Sequence, residues 1–142
     1  MSTVYLFNPE NDMALASGSP YYMAPANIKK MAADLSALPA WYALPGSGVL
    51  VSDERRREWM LQEYGTMLEV DWMLEVPESC DRICPWGWNP ALLRRLGELG
   101  VPDGSLLSKE QMSKLRTLSS RQMAVELLPR LRVEQTLGES NL

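Results

Sequence analysis

The chain has 142 residues, of which 46% are hydrophobic and 23% are charged, so it is long enough for one globular domain with a buried core. Its formal net charge of -4 argues against a nucleic-acid-binding protein, which normally carries a basic excess. The chain has no histidine, which excludes within it any mechanism that uses an imidazole base or a histidine zinc ligand.

Two cysteines, Cys80 and Cys84, are too few for a four-cysteine zinc site, and their spacing is not that of a Cys-x-x-Cys redox motif. We interpret them as buried or idle thiols, and their low number favours a reducing compartment. The first residues lack a basic stretch followed by an apolar core, and no apolar run reaches the roughly 18 residues that cross a bilayer. These features predict a cytoplasmic protein that does not enter a membrane.

The first third of the chain predicts two strands separated by a loop and a helix. Residues 3–7 are a short run of β-forming apolar residues and predict a buried strand. Residues 8–24 carry turn-forming residues throughout and predict a long loop, a kind of segment that often carries function. Apolar residues at helical spacing predict a helix over 25–38, and residues 49–51 predict the second strand.

The middle of the chain predicts a helix followed by two strands. Ser52 or Asp53 can cap a helix that ends near Gly65. Residues 67–76 alternate between apolar and acidic and predict a strand, and residues 82–84 predict another. The inner face of the helix is predicted to be formed by Trp59, Met60 and Tyr64.

The last third predicts three helices. Asn89 followed by Pro90 is a typical helix start. Two Ser-x-x-Gln pairs, which begin at Ser108 and Ser119, fit the capping-box spacing and predict two further helices. The inner face of the first of these three helices is predicted to be formed by Leu92, Leu96 and Leu99.

This alternation of strands and helices predicts an α/β fold. We expect a small, mostly parallel sheet with helices on both faces, followed by C-terminal helices. We assign residues 1–105 to the α/β domain, 106–132 to the helical C-terminal extension, and 133–142 to a tail or junction.

Polar and aromatic residues follow the first strand and the strand at 82–84. The carboxyl ends of parallel strands lie at one edge of the sheet, where ligands bind in open α/β folds. We therefore predict a substrate-binding site from the residues after these two strands: Asn8, Glu10, Asn11 and Asp12 with Trp86, Gly87, Trp88 and Asn89.

These residues also have structural interpretations. Glu10 and Asp12 can hold a cation or bind the amines and hydroxyls of a ligand, or they can cap turns. The indoles of Trp86 and Trp88 can stack on a flat ligand or on a neighbouring domain, or they can fill the core. Gly87 permits close approach of the backbone to a partner.

Three other segments carry weaker signals. Residues 17–22 resemble a phosphate-binding loop only loosely, because neither of the two common glycine patterns is present. The basic residues at 29–30 and 55–57 are interpreted as solvated helix faces.

Four segments resemble those of a group of bacterial proteins that look like members of the ATP-grasp superfamily. They are FNPENDMALA at 7–16, LPAWY at 38–42, PWGWN at 85–89 and LSSR at 118–121. In that group the corresponding region is an N-terminal, Rossmann-like pre-ATP-grasp domain. The resemblance covers nearly the whole chain, and its first and third segments are the most specific.

The resemblance implies an ATP-dependent ligase that joins a carboxylate to an amine or a similar nucleophile through an acyl phosphate. The pre-ATP-grasp domain contributes contacts to a small-molecule substrate and is inactive alone. The resemblance also implies that ATP and magnesium are held by a downstream ATP-binding domain of the same chain, so no cofactor, metal ligand or catalytic residue is assigned here. The chain departs from many relatives at Ser120, where they have a histidine before Arg121.

On this interpretation the chain is the N-terminal part of a longer protein, and we expect self-association through the face that the missing domain would cover. A second hypothesis is a complete, non-enzymatic module that binds a protein partner through the surface at Trp86–Trp88. A third is a complete small enzyme that uses carboxylates alone.

Overall fold

The computed structural model describes residues 2–131, and the predicted tail at 133–142 lies outside them. Within the described residues the strands form one four-stranded, all-parallel sheet in the order β3-β2-β1-β4. The strands are β1 (Thr3–Leu6), β2 (Ser47–Leu50), β3 (Val70–Met73) and β4 (Arg82–Pro85). The predicted α/β fold with a parallel sheet is therefore confirmed, and the strand order is that of the first four strands of a Rossmann-like sheet.

In residues 2–131, six α-helices connect and follow the strands. They are α1 (Asn11–Ser17), α2 (Ala26–Asp34), α3 (Glu54–Tyr64), α4 (Pro90–Glu98), α5 (Lys109–Leu118) and α6 (Arg121–Leu127). Short 3₁₀ turns lie at Leu38–Trp41, Asp103–Ser105 and Leu128–Arg130. Helices α5 and α6 fall in the segment assigned to the C-terminal extension. None of the helices in residues 2–131 has the length and apolarity needed to cross a bilayer.

Side chains alternate across the sheet and form one hydrophobic cluster on each face. The α4-side cluster joins β1 and β4 to helix α4 through Val4, Leu6, Ile83, Leu92 and Leu96. The α3-side cluster joins β2 and β3 to helix α3 and the turn at 38–41 through Ala40, Val49, Val51, Met60 and Trp72. Because each buried Leu or Val side chain contributes about 2 kcal/mol, these two clusters hold helices on both faces of the sheet.

Helix α1 corrects the prediction of a continuous loop over 8–24. Turn-forming residues at both ends of this segment obscured the run Asp12–Ala16, in which alanine, leucine and methionine favour a helix. The helix buries Ala14 and Leu15 and ends at Gly18, whose φ of 67° lies in the left-handed region. The predicted helix over 25–38 is also shorter, since α2 ends at Asp34 and a 3₁₀ turn follows.

Two predicted inner-face residues lie at the surface. Trp59 is 49% exposed, because it points about 100° away from the buried Met60, and its ring packs edge-to-face on Tyr64 at 5.7 Å. Leu99 is 71% exposed, because α4 ends at Glu98.

The predicted caps are confirmed at three helices and misplaced by one residue at another. Asp53 and Asn89 cap α3 and α4, and Ser108 forms the predicted capping box with Gln111 at α5. Helix α6 is capped by Ser120 rather than by Ser119, which ends α5.

The cap at Asp53 predicts a pH-dependent contribution to stability. Its carboxylate accepts hydrogen bonds from the Ser52 hydroxyl at 2.6 Å and from the Arg56 amide at 2.9 Å, and these bonds lower its pKa below the ordinary 3.8. Because the folded pKa is the lower one, the stabilisation is complete above the unfolded pKa and is lost as the pH falls through the folded pKa.

We therefore expect the native protein to lose stability relative to Asp53→Asn as the pH falls. Its urea midpoint should decrease relative to that of the variant between about pH 6 and pH 2.5. The asparagine is a matched control, because it caps a helix without titrating. A difference that stays constant over this range contradicts the prediction.

Candidate functional site

The carboxyl edge of the sheet opens between β1 and β4. Strands β2 and β3 lie on one side of β1, and β4 lies on the other. The turn at 38–41, on the connection from β1 to β2, packs on the α3-side cluster, whereas the helix after β4 packs on the opposite face. The connections that leave β1 and β4 therefore diverge, and this is the switch point at which open α/β sheets bind ligands.

Asn8 fastens the two loops to each other at this point. Its side-chain amide donates a hydrogen bond to the Gly87 carbonyl at 2.7 Å and accepts one from the Gly87 amide at 3.2 Å. The bond from the Trp86 amide to the Leu6 carbonyl, at 2.9 Å, continues the ladder between β1 and β4 up to this pair. Asn8 is only 1% exposed, so it builds the edge of the crevice.

Asn11 and Asn89 form a second bridge between the loops. The Asn89 amide donates to Oδ1 of Asn11 at 3.0 Å, while Oδ1 of Asn89 accepts from the Leu92 amide at 2.9 Å and so caps α4. A Cβ atom at Gly87 would lie 2.1 Å from Nδ2 of Asn11. The close approach for which Gly87 leaves room is therefore made by a side chain of the same protein.

A cavity of about 340 Å³ lies beside this bridge, between α1, α2 and α4. Asn89 and Leu92 form its floor on α4. Its apolar wall is made largely of small side chains, Ala14, Ala24, Ala32 and Ala91, which leave room for a ligand. Its volume lies at the lower end of the range of about 300–1,000 Å³ that is typical of small-molecule sites.

Four charged residues line the same cavity: Glu10, Lys29, Arg94 and Arg95. Of these, Arg94 is already engaged. Its Nε donates to the Pro20 carbonyl at 2.9 Å, its Nη1 pairs with Glu98 at 2.5 Å, and its guanidinium lies 4.8 Å from the centre of the Tyr21 ring. It therefore holds the segment before α2 against α4.

The other three charges have no such partner among residues 2–131. Neither Glu10, Lys29 nor Arg95 forms an ion pair within 4.0 Å there. The adjacent Lys30, in contrast, pairs with Asp34. Lys29 and Lys30 are both exposed on α2, as the interpretation of a solvated helix face predicts. Of the two, only Lys29 also lines the cavity, and so does Arg95, which was not among the predicted site residues. The available signal was their position on the two helices that follow the predicted binding segments.

The remaining predicted site residues lie away from this cavity. Asp12 is exposed in the first turn of α1, where a carboxylate stabilises the positive end of the helix dipole. Trp86 is 56% exposed and packs edge-to-face on Phe7 at 5.4 Å, with Tyr42 at 6.3 Å. Trp88 is half-buried against the α4-side cluster. The two indoles thus lie on opposite faces of the sheet and do not form one surface.

The thiol of Cys80 is part of the packed interior and not of a reactive site. It is buried and donates to the Arg82 carbonyl at 3.2 Å. Burial raises its pKa, so it stays protonated at neutral pH and is a poor nucleophile. Burial, followed by the neighbouring Tyr5 and Cys84, raises the pKa of Tyr42 as well.

The described residues include no built site for the magnesium that the resemblance implies for the whole protein. Residues 2–131 contain no group of three or more Asp, Glu, Cys or His side chains that could hold a metal ion. In the loosely phosphate-loop-like segment at 17–22, the Gly18 amide donates to the Ala14 carbonyl at 3.1 Å to end α1. On the resemblance, ATP and magnesium would both be held by the downstream domain.

No protein-family model, curated protein or solved structure matches the chain.

Proposed function

We propose that the chain binds a small molecule with an anionic group in the crevice between β1 and β4. We further propose that it does so as the substrate-side domain of an ATP-grasp-like carboxylate-amine ligase and is inactive alone. The observation that carries the first proposal is the cavity beside the switch point, which Lys29 and Arg95 line together with four alanines. Two nearby cations favour a carboxylate or phosphate and supply both charge and hydrogen-bond donors.

The ligase proposal depends on the resemblance of the four sequence segments. Two of them, 7–16 and 85–89, contain Asn8 and Gly87, whose hydrogen bonds join the segments at the crevice. A third, 38–42, contacts the second through Tyr42 and Trp86, but on the face of the sheet opposite the cavity. The two segments that are most specific to the resemblance therefore meet at the crevice, and this supports a shared role for them in binding its ligand.

We expect small carboxylates, phosphates and amino carboxylates to shift the backbone amide signals of residues that line the cavity, such as Ala32 and Ala91, in heteronuclear NMR spectra of the full chain. The double variant Lys29→Gln/Arg95→Gln should lose these shifts, whereas Lys30→Gln, a matched control outside the cavity, should keep them. Magnesium-ATP should give no heat of binding with this chain. Shifts confined to other surfaces would contradict the crevice, and heat with magnesium-ATP would contradict a substrate-side role.

A second candidate function, a protein-interaction module, is favoured by the aromatic surface. Four aromatic side chains are each about half exposed on the α3 side: Trp41, Tyr42, Trp59 and Trp86. Tyr64 bridges Trp41 and Trp59 at ring distances of 5.5 and 5.7 Å. Trp88 does not contribute to this surface. Absence of any ligand effect at the crevice would favour this function.

A further inference from the structure

We propose that the ligand of the crevice is a small zwitterion, whose ammonium group binds Glu10 and whose oxyanion binds Lys29 and Arg95. This inference depends on the proposed function, because it requires the crevice to be a ligand site. It adds the charge pattern of the ligand, which the cavity itself provides.

The three side chains present opposite charges to one cavity of about 340 Å³. Nevertheless, among the described residues they form no ion pair with each other within 4.0 Å. Each is carried by a separate element: Glu10 precedes α1, Lys29 is on α2, and Arg95 is on α4. A ligand that lies between these elements can pair with both signs of charge.

The same charges disfavour a ligand of one sign. A simple anion satisfies Lys29 and Arg95 but brings a negative charge close to the Glu10 carboxylate. A simple cation satisfies Glu10 but meets two positive charges. Like-charge contacts oppose binding, whereas a charge-assisted hydrogen bond contributes favourably, so a zwitterion is selected over either of its halves.

The distance between the ammonium group and the oxyanion of the ligand remains to be determined. A series of straight-chain amino carboxylates, in which this distance increases step by step, measures it. We expect one member of the series from glycine to 6-aminohexanoate to bind at least about tenfold more tightly than its matched carboxylate without the amine, as one added charge-assisted hydrogen bond predicts. For 4-aminobutyrate the matched probes are butyrate and butylamine. The amines alone should not bind. Dissociation constants come from the shifts of amide signals around the cavity.

In Glu10→Gln the amino carboxylate and its matched carboxylate should bind with about equal dissociation constants, because the neutral amide does not pair with the ammonium group. Binding of the carboxylate itself should persist. Asp12→Asn is the matched control, because Asp12 lies outside the cavity and the preference should survive. Native-like spectra of both variants show that each is folded.

If butyrate and its homologues bind the crevice as tightly as the amino carboxylates, the inference of a zwitterionic ligand is wrong, but the crevice is still a ligand site. Tighter binding of the amines than of the amino carboxylates would also overturn the zwitterion. If no probe perturbs the cavity, both the inference and the proposed function fail.

Discussion

Asn8→Ala is expected to lower the free energy of unfolding by about 3 kcal/mol, because it removes two hydrogen bonds and leaves the Gly87 amide and carbonyl without partners in a partly buried place. The loops after β1 and β4 lose their direct connection at the same time. Chemical denaturation with urea, followed by far-UV circular dichroism, measures the change.

The matched control is Asn27→Ala. Asn27 is exposed on α2, so this substitution should change the free energy of unfolding by less than about 0.5 kcal/mol. Equal effects of the two substitutions would show that the bonds between Asn8 and Gly87 contribute little to the fold. Asn8→Ala should also weaken any ligand binding in the crevice, since it loosens one wall.

Asn89→Ala is expected to have a similar effect, about 3 kcal/mol, for a different reason. It removes the cap of α4 and leaves the buried Leu92 amide without a hydrogen-bond acceptor. It also breaks the hydrogen bond to Asn11. Asn89→Ser should be intermediate, because a serine hydroxyl can accept from the helix amide but does not reach Asn11. Urea denaturation again provides the measurement.

A cap at an exposed helix provides the comparison. Ser120→Ala removes the bond from the Met123 amide at the start of α6, a helix with no buried residues. We expect it to cost no more than about 1 kcal/mol. If Asn89→Ala costs no more than Ser120→Ala, the burial of Asn89 adds nothing to its cap.

The strands and most caps were predictable because their signals are local. Residues 3–7 are a short run of β-forming apolar residues, and Asn89 before Pro90 fits the start of a helix with few alternatives. Helix α1 was not predictable in the same way, since its core of Asp12–Ala16 is short and is enclosed by turn-forming residues. Only its packing on α4 through residues such as Ala14 stabilises a helix of this length.

The meeting of the two predicted binding segments followed from topology, because parallel strands bring their carboxyl ends to one edge. The roles of the asparagines did not follow from it. An asparagine after a strand can be buried and pair with backbone groups, or it can be exposed and bind a ligand. The residue type and its position in the sequence are the same in both cases. Lys29 and Lys30 differ likewise only in which side of α2 they occupy, and the tertiary packing decides that.

The hydrogen bonds of Asn8 to Gly87 join residues 79 positions apart in the chain. Closing so long a segment costs conformational entropy before any contact compensates for it, and pairings of this kind form late and slowly during folding. An intermediate that has paired β1, β2 and β3 without β4 would therefore have most of its sheet but no crevice. A ligand of the crevice would bind only the completed fold, so raising its concentration would raise the apparent stability and lower the equilibrium population of partly folded states.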